Sequence, residues 1–303
     1  MFYTPPLRNE SLTSWLYRLT NSHYCDLQTY FRERIEPVFL RNTDFDKLSD
    51  IFLFKEFTRF TPLSSDQLRD LTLSSPVLSP FDKLSERSFI PWLLPPARKN
   101  VSSFGLQICS SCWFRDPIAF HRIHWRLSLF FFCTECRVYL QNHCPACGYP
   151  IVFRNSNFST YIEDQLNTLR FCYYCSSDLA TNKSTPLSMK DASTADRVLS
   201  LLGGQAHMLC SLEDYLIVLH YFTQRAFAEY QRQTHWNYSI QRRDRSRFLE
   251  TDSLIRADLL AKAFEMFDDF PELVKRTKRN HLSVKSFWLR GFVNPPEWYY
   301  GIL

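Results

Sequence analysis

Glycine is nearly missing from this chain, with six residues among 303. So few argue against folds organised by glycine-rich phosphate loops or by a series of tight hairpins, both of which need positive φ or close backbone approach. No G-x-x-x-x-G-K-[ST] segment occurs, so the chain is not itself a P-loop ATPase. A nucleophile elbow and an H-E-x-x-H helix are also missing, and the carboxylates are scattered without a recognisable acidic triad, so enzymatic activity is not expected. No stretch approaches the roughly 18 apolar residues that a membrane span requires. The start, Met1 to Leu12, carries Pro5 and Pro6 and no apolar run, unlike a secretory signal. The expected compartment is the cytoplasm, where thiols stay reduced.

Aromatic residues are abundant, with 27 Phe, 15 Tyr and 7 Trp. The length suggests two domains or three small ones. A net charge of +5 is mildly basic, with most of the excess in the C-terminal part. That is weaker than a protein that coats nucleic acid would show, so contact with nucleic acid would use local patches or the help of partners.

Residues 1–60 read as helical. Leu12, Trp15, Leu16 and Leu19 form an i, i+3, i+4, i+7 apolar face, with Asn9 or Ser11 as its cap. After a break at Asn21-Ser22-His23, Asp26 precedes Leu27, Tyr30 and Phe31, a second short helix. The pair fits a helix-turn-helix, and equally any small helical bundle. Residues 61–107 are rich in Ser and Pro and read as an irregular connector with one or two helical turns. Residues 186–303 are helical again. One helix over Ala195 to Leu202 should end at Gly203-Gly204. Ser211-Leu-Glu-Asp214 resembles a capping box and opens a run from Tyr215 to Tyr230. Asp252 opens another through Leu254, Ile255, Leu259, Leu260, Ala263, Phe264 and Phe267.

Between these helical parts lie eight of the ten cysteines, as Cys109-x-x-Cys112, Cys133-x-x-Cys136, Cys144-x-x-Cys147 and Cys172-x-x-Cys175. A Cys-x-x-Cys turn puts two thiolates on one side of a tight loop, and a second pair completes a tetrahedron. Eight thiolates make two closed four-sulfur zinc sites, structural in role, whose binding energy is part of the folding energy. Sequential pairing, the first pair with the second and the third with the fourth, is favoured over an interleaved cross-brace. Gly148, directly after Cys147, fits the positive-φ exit of such a turn. An iron–sulfur cluster would use a three-cysteine run followed by Cys-Pro, and redox-active pairs would need a thioredoxin-like strand–helix setting; neither is present. Cys25 and Cys210 are expected to be buried small apolar residues. His121, His124 and His143 are expected beside the sites or on the surface rather than as ligands.

Taken together, these residues resemble the TniQ family of transposon target-selection proteins. Asn9-Glu-Ser-Leu-Thr-Ser-Trp-Leu-Tyr-Arg-Leu19 is similar to the family's N-terminal helix motif. The cysteine segment matches in order and spacing: Ile108-Cys-Ser-Ser-Cys112, Trp125-Arg-Leu, Cys133-Thr-Glu-Cys136, Leu140, Cys144-Pro-Ala-Cys-Gly148 and Phe171-Cys-Tyr-Tyr-Cys175. The resemblance covers residues 5–20 and about 108–180. One departure is Cys136, where relatives commonly carry His; cysteine is an equivalent zinc ligand. The sequence also ends soon after Trp298-Tyr-Tyr300, which favours the shorter members, including those of CRISPR-associated transposons. The resemblance implies a non-enzymatic adaptor in DNA transposition. It would link a target-recognition element to the AAA+ regulator TnsC. That element would be a Cascade-type CRISPR effector complex with its guide RNA, or target DNA. A homodimer is compatible with it. The alternative is a stand-alone, TnsD-like reader of a DNA attachment site.

Two basic clusters are candidates for contact with nucleic acid or a partner protein. Arg242, Arg243, Arg245 and Arg247 follow the aromatic Trp236-Asn-Tyr238, and Lys275, Arg276, Lys278 and Arg279 precede His281. The expected fold is mainly α with small zinc-ribbon hairpins. It comprises a helix-turn-helix-like region with its connector over 1–107, a double zinc-ribbon module over 108–180 and a helical domain over 181–303.

Overall fold

A computed structural model of the chain describes residues 4–25, 27–31, 44–47, 55, 57–59, 61–75, 78, 92–94, 106–152, 169–181, 183–205, 211–234 and 251–279. It is mainly helical, with β structure among the described residues limited to isolated bridges. The chain divides into two compact units, residues 1–186 and 187–303.

In the first unit, α1 spans Leu12–Ser22. Its apolar stripe of Leu12, Trp15, Leu16 and Leu19 is buried as the 3.6-residue period requires. Each such side chain contributes roughly 1.5–3 kcal/mol by leaving water. Ser11 is the cap, and its Oγ accepts the Ser14 N–H at 3.2 Å. The short α2, Leu27–Phe31, brings Leu27 and Phe31 into the same cluster. Phe31 and Phe57 meet edge to face at 5.5 Å.

The Ser/Pro-rich stretch does more than connect. Within it α3, Ser65–Asp70, carries a complete capping box between Ser64 and Gln67. Leu63, Leu68, Leu71, Leu73, Leu78, Trp92, Leu93 and Leu94 are all buried. The chain then pairs back on itself: the Leu94 N–H donates to Arg126 O at 2.8 Å and the Ser128 N–H to Trp92 O at 2.7 Å. Gln107, wholly buried, ties the following loop, with Nε2 directed at the Trp125, Leu127 and Phe130 carbonyls at 2.8, 3.0 and 2.8 Å.

In the second unit, α5 is Met189–Ser200, followed by a wide π turn over Leu201–Gln205. The helix starts six residues before the expected Ala195. Ser188 caps it, accepting the Asp191 N–H at 3.1 Å, and its first turn buries no side chain, with Met189 exposed, so no apolar period marks it. The glycines lie inside the π turn rather than beyond a clean stop. Helix α6, Leu212–Gln233, opens at Ser211 as expected, and its Oγ accepts the Asp214 N–H at 3.1 Å. Helix α7, Ser253–Arg279, is begun by Asp252, whose Oδ1 accepts the Ile255 N–H at 3.0 Å. Between α6 and α7, Tyr215 lies 4.2 Å from Phe267 and Phe222 lies 5.5 Å from Phe270, ring centre to ring centre. Arg197 of α5 grips Asp268 of α7 through both guanidinium nitrogens at 2.6 and 2.5 Å. Among the described residues no helix is long and apolar enough to cross a membrane.

Candidate metal centres

Three of the four Cys-x-x-Cys segments fold into one shape. In each, the N–H four residues after the first cysteine returns to that cysteine's carbonyl: Arg137 to Cys133 at 3.0 Å, Gly148 to Cys144 at 2.8 Å and Ser176 to Cys172 at 2.8 Å. The first cysteine's own N–H then donates to the residue five positions on: Val138, Tyr149 and Ser177, each at 2.8 Å. The closing residue must turn left-handed, with φ of +56° at Arg137, +70° at Gly148 and +58° at Ser176. Gly148 adopts this freely; Arg137 and Ser176 do so at about 1 kcal/mol or more. Single bridges flank each knuckle: Phe132 with Tyr139, His143 with Pro150, and Phe171 with Asp178.

The fourth segment differs. Cys109 is the N-cap of α4, Ser110–Arg115, and its Sγ accepts the Cys112 N–H at 3.4 Å. The first tetrad is therefore a helix start facing a knuckle, and the second is a knuckle facing a knuckle.

Cys109, Cys112, Cys133 and Cys136 converge, as do Cys144, Cys147, Cys172 and Cys175, with the sulfurs of each group within 4.8 Å of one another. This is the sequential grouping. In the first group Cys112 Sγ lies 3.5 Å from Cys133 Sγ and 3.4 Å from Cys136 Sγ. In the second, Cys144–Cys175 and Cys147–Cys172 are 3.6 and 3.7 Å apart. A disulfide would need about 2.05 Å. A tetrahedron with metal–sulfur bonds of about 2.3 Å has edges of about 3.8 Å. The spacing and the all-sulfur donor set thus fit a tetrahedral metal ion in each group. Four protein ligands would leave no coordination position for water or substrate, so the arrangement holds structure together rather than activating a reactant.

The thiols prepare for such an ion. Hydrogen bonds from Cys109 and Cys112 favour the Cys133 thiolate and bring its pKa down to about 4. The Ser177 hydroxyl and backbone bring Cys175 down to about 6. Their neighbours move the other way: Cys109 is pushed up through its bonds to Cys112 and Cys133 and by burial. Burial, with the neighbouring thiols Cys144 and Cys175, pushes Cys172 up to about 12. Without a cation, negative charge on one sulfur obstructs charge on the next; a dication removes that conflict.

The first group is the more enclosed. Cys109, Cys112 and Cys133 are buried and Cys136 half-buried, whereas Cys147 and Cys175 of the second group are exposed. Tyr149 and Tyr174 clamp the second group from opposite knuckles, stacked at 4.5 Å with only 4° between ring planes.

The N-terminal motif residues are engaged in a buried joint. Glu10 accepts from Arg18 Nε at 2.7 Å and Nη2 at 2.6 Å, from Ser14 Oγ at 2.9 Å and from the Leu7 N–H at 2.9 Å. Ser14 Oγ also accepts the His121 N–H at 2.9 Å, and the Ser11 N–H donates to His121 O at 2.8 Å. His121 is buried against Trp125, edge to face at 5.6 Å, and its pKa is driven well below the usual value by burial and then by the Arg126 charge. His124 packs on Phe130 at 5.1 Å. His121 is thus a core packing residue, and His124 is half-buried at its edge. Half-buried His143 faces Asn142 Oδ1 at 2.9 Å. Cys25 is only half-buried, and Cys210 lies outside the described residues.

Sequence reasoning missed a second joint. Arg126, wholly buried, reaches Asp44 and Asp46 some 80 residues away. No local pattern announces such a pair. Of the basic clusters, Arg242, Arg243, Arg245 and Arg247 lie outside the described residues. Lys275 is exposed on α7 and pairs with Glu272 at 2.6 Å; the side chains of Arg276, Lys278 and Arg279 are not described.

Helical elements stapled by closed four-thiol centres define a class of structural metal-site scaffolds. Residues 1–140 match the model of the TniQ family. The match takes in α1 to α4 and the whole first tetrad; the second tetrad lies beyond it. That family is one of non-catalytic accessory proteins in target selection for DNA transposition. No curated protein matches the chain.

Proposed function

We propose that this protein is a non-catalytic target-selection adaptor of DNA transposition, built around two structural zinc ions held by the eight tetrad cysteines. It links a target-recognition element to the AAA+ regulator TnsC. The element is a Cascade-type effector complex with its guide RNA, or the target DNA itself.

The family match over residues 1–140 carries this reading. The geometry of the matched part supports it. Ser11 and Ser14 tie α1 to His121, and the Ile123 N–H donates to Asn9 O, while Trp15 and Arg18 bind α1 back to Thr4, Pro5 and Glu10, as an accessory scaffold requires. The tetrads supply rigidity to a protein whose work is to present surfaces. Arg242, Arg243, Arg245 and Arg247, together with Lys275, Arg276, Lys278 and Arg279, are the proposed sites of contact with nucleic acid or partner.

Co-purification tests the proposal. The tagged full chain should retain TnsC and either the effector complex or target duplex, with two zinc ions per chain by metal analysis. Failure to hold either protein partner at moderate salt would overturn the adaptor reading. Tight duplex binding by the chain alone, falling steeply with salt, would favour a stand-alone DNA reader instead.

A further inference from the structure

The two tetrads sit in different electrostatic surroundings. At the second, the polar neighbour of Cys175 Sγ is a neutral hydroxyl, Ser177 Oγ at 3.2 Å. At the first, a cation points at the sulfurs. Arg115 ends α4, one turn past Cys112, and its Nη2 lies 3.0 Å from Cys136 Sγ and 3.8 Å from Cys112 Sγ. A second arginine stands behind it. Arg122 holds Glu135 through Nε and Nη2 at 3.2 and 3.3 Å, and Asp116 through Nη1 at 3.1 Å. Glu135, between the two knuckle cysteines, brings Oε2 to 3.7 Å from Cys112 Sγ.

A dication bound by four thiolates carries excess negative charge, and a carboxylate at its edge adds to it. Hydrogen bonds from a guanidinium offset that charge more strongly than a neutral donor could. Cys136 is where the help is most needed. It is the half-buried ligand of the first group, while the other three are buried. It is the edge from which water and competing chelators reach the metal.

The geometry points to Arg115 as an outer-sphere positioning residue of the first metal centre: its guanidinium donates to the Cys136 thiolate, offsets the charge of the four-sulfur site and keeps this half-buried ligand bound. The inference rests on the zinc reading above. Arg115 rather than Arg122 is the residue to change. Its side chain is 58% exposed and its contact with Glu135 is a loose 3.9 Å. Arg122 is buried beneath two carboxylates, so its loss would disturb the fold itself.

The test uses the full chain loaded with zinc, with release into a chromogenic chelator followed in time. A parallel sample carries cadmium in place of zinc and is read by cadmium NMR. Arg115→Gln should speed release from one centre about tenfold and leave the other unchanged, as loss of an outer-shell partner does at other metal sites. One cadmium resonance should move and the other stay. Arg115→Lys, which keeps the charge but not the forked donor, should fall between. Far-UV circular dichroism and the undisturbed second centre report that the fold is intact. Equal release rates for the wild-type and Arg115→Gln chains, or equal acceleration at both centres, would overturn the assignment. A wild-type chain that binds no metal would overturn the zinc reading and this role together.

Discussion

Replacing Arg126 with methionine removes the cation that two buried carboxylates share. The Arg126 side chain is 1% exposed, Asp46 0% and Asp44 12%. Arg126 Nη1 bonds Asp44 Oδ1 at 3.0 Å and also Asp46 Oδ2; Nη2 bonds Asp44 Oδ2 at 2.7 Å and Leu94 O at 3.1 Å. Asp46 in turn accepts the Thr13 N–H at 2.8 Å, so the network reaches the first turn of α1. Burial works to raise both carboxyl pKa values. At Asp44 the guanidinium outweighs it and holds the group below its usual value; at Asp46 burial, with help from the Asp44 charge, keeps the group above. Methionine fills the space of the stem and supplies none of the donors. Breaking a buried ion pair from one side costs about 3–5 kcal/mol. Domains of this kind have about 5–15 kcal/mol in total, so the loss is a large fraction. Urea unfolding followed by tryptophan fluorescence is the suitable assay, because Trp15, Trp92, Trp113 and Trp125 are all buried in the same unit. Zinc is kept saturating throughout. Adding Asp44→Asn and Asp46→Asn to the Arg126→Met chain removes the stranded charges and should recover a substantial share of the loss. A single-variant effect below about 1 kcal/mol, or a triple variant no better than the single, would refute this account of the network.

Cys144→Ser should halve the bound metal, from two ions to one, and destabilise the two knuckles of the second tetrad; metal analysis that still finds two ions would count against the second tetrad as a site. Acid should destabilise the helical unit through His220, whose pKa burial depresses to about 3. The neutral form belongs to the folded state, so this stability is complete above the unfolded value of about 6.5 and is lost as pH falls from there toward about 3, at about 1.4 kcal/mol per pH unit. His220→Gln should therefore lose about 2 kcal/mol less than wild type between pH 8 and pH 5; identical pH slopes in urea melts would contradict this. Gly148→Ala should cost about 1–2 kcal/mol although no atom lies within 4 Å of the added methyl, because the penalty is conformational. By the same reasoning Ser176→Gly should be neutral or stabilising, and a loss on thermal melting would argue against left-handed strain at the knuckle.

Helix α1 was readable because its information is local: a period of apolar residues and a serine at the right place. The grouping of the cysteines was readable for a related reason, since a four-sulfur site leaves its spacing in the chain. Gly148 announced its own backbone turn. Arg137 and Ser176 did not, because neither residue type demands a left-handed φ; only the position four after a knuckle cysteine marks them. The packing of residues 61–94 was hidden by composition. Ser and Pro suggested an irregular connector with one or two helical turns, while Leu63, Leu68, Leu71, Leu73, Leu78 and Trp92 are buried. The Asp44–Asp46–Arg126 network was invisible, because charges that meet across such separations follow no period. Likewise Arg115 looked like any residue ending a short helix until its nitrogen was placed beside Cys136.

The hydrogen bonds that tie α1 to His121 have a consequence in time. Ser14 and His121 are 107 residues apart, and a ribosome adds roughly 5–20 residues per second. The motif helix is thus made first and waits on the order of 5–20 s before the backbone that completes its joint exists. Throughout that interval the Ser11 N–H and the Ser14 hydroxyl lack the His121 backbone that later bonds them. The first tetrad closes just after, when Cys136 arrives 24 residues past Cys112. Metal capture and the closing of the joint between α1 and His121 therefore fall into the same short stretch of synthesis, and a chain halted before residue 121 would carry α1 packed on residues 27–71 but with that joint still open.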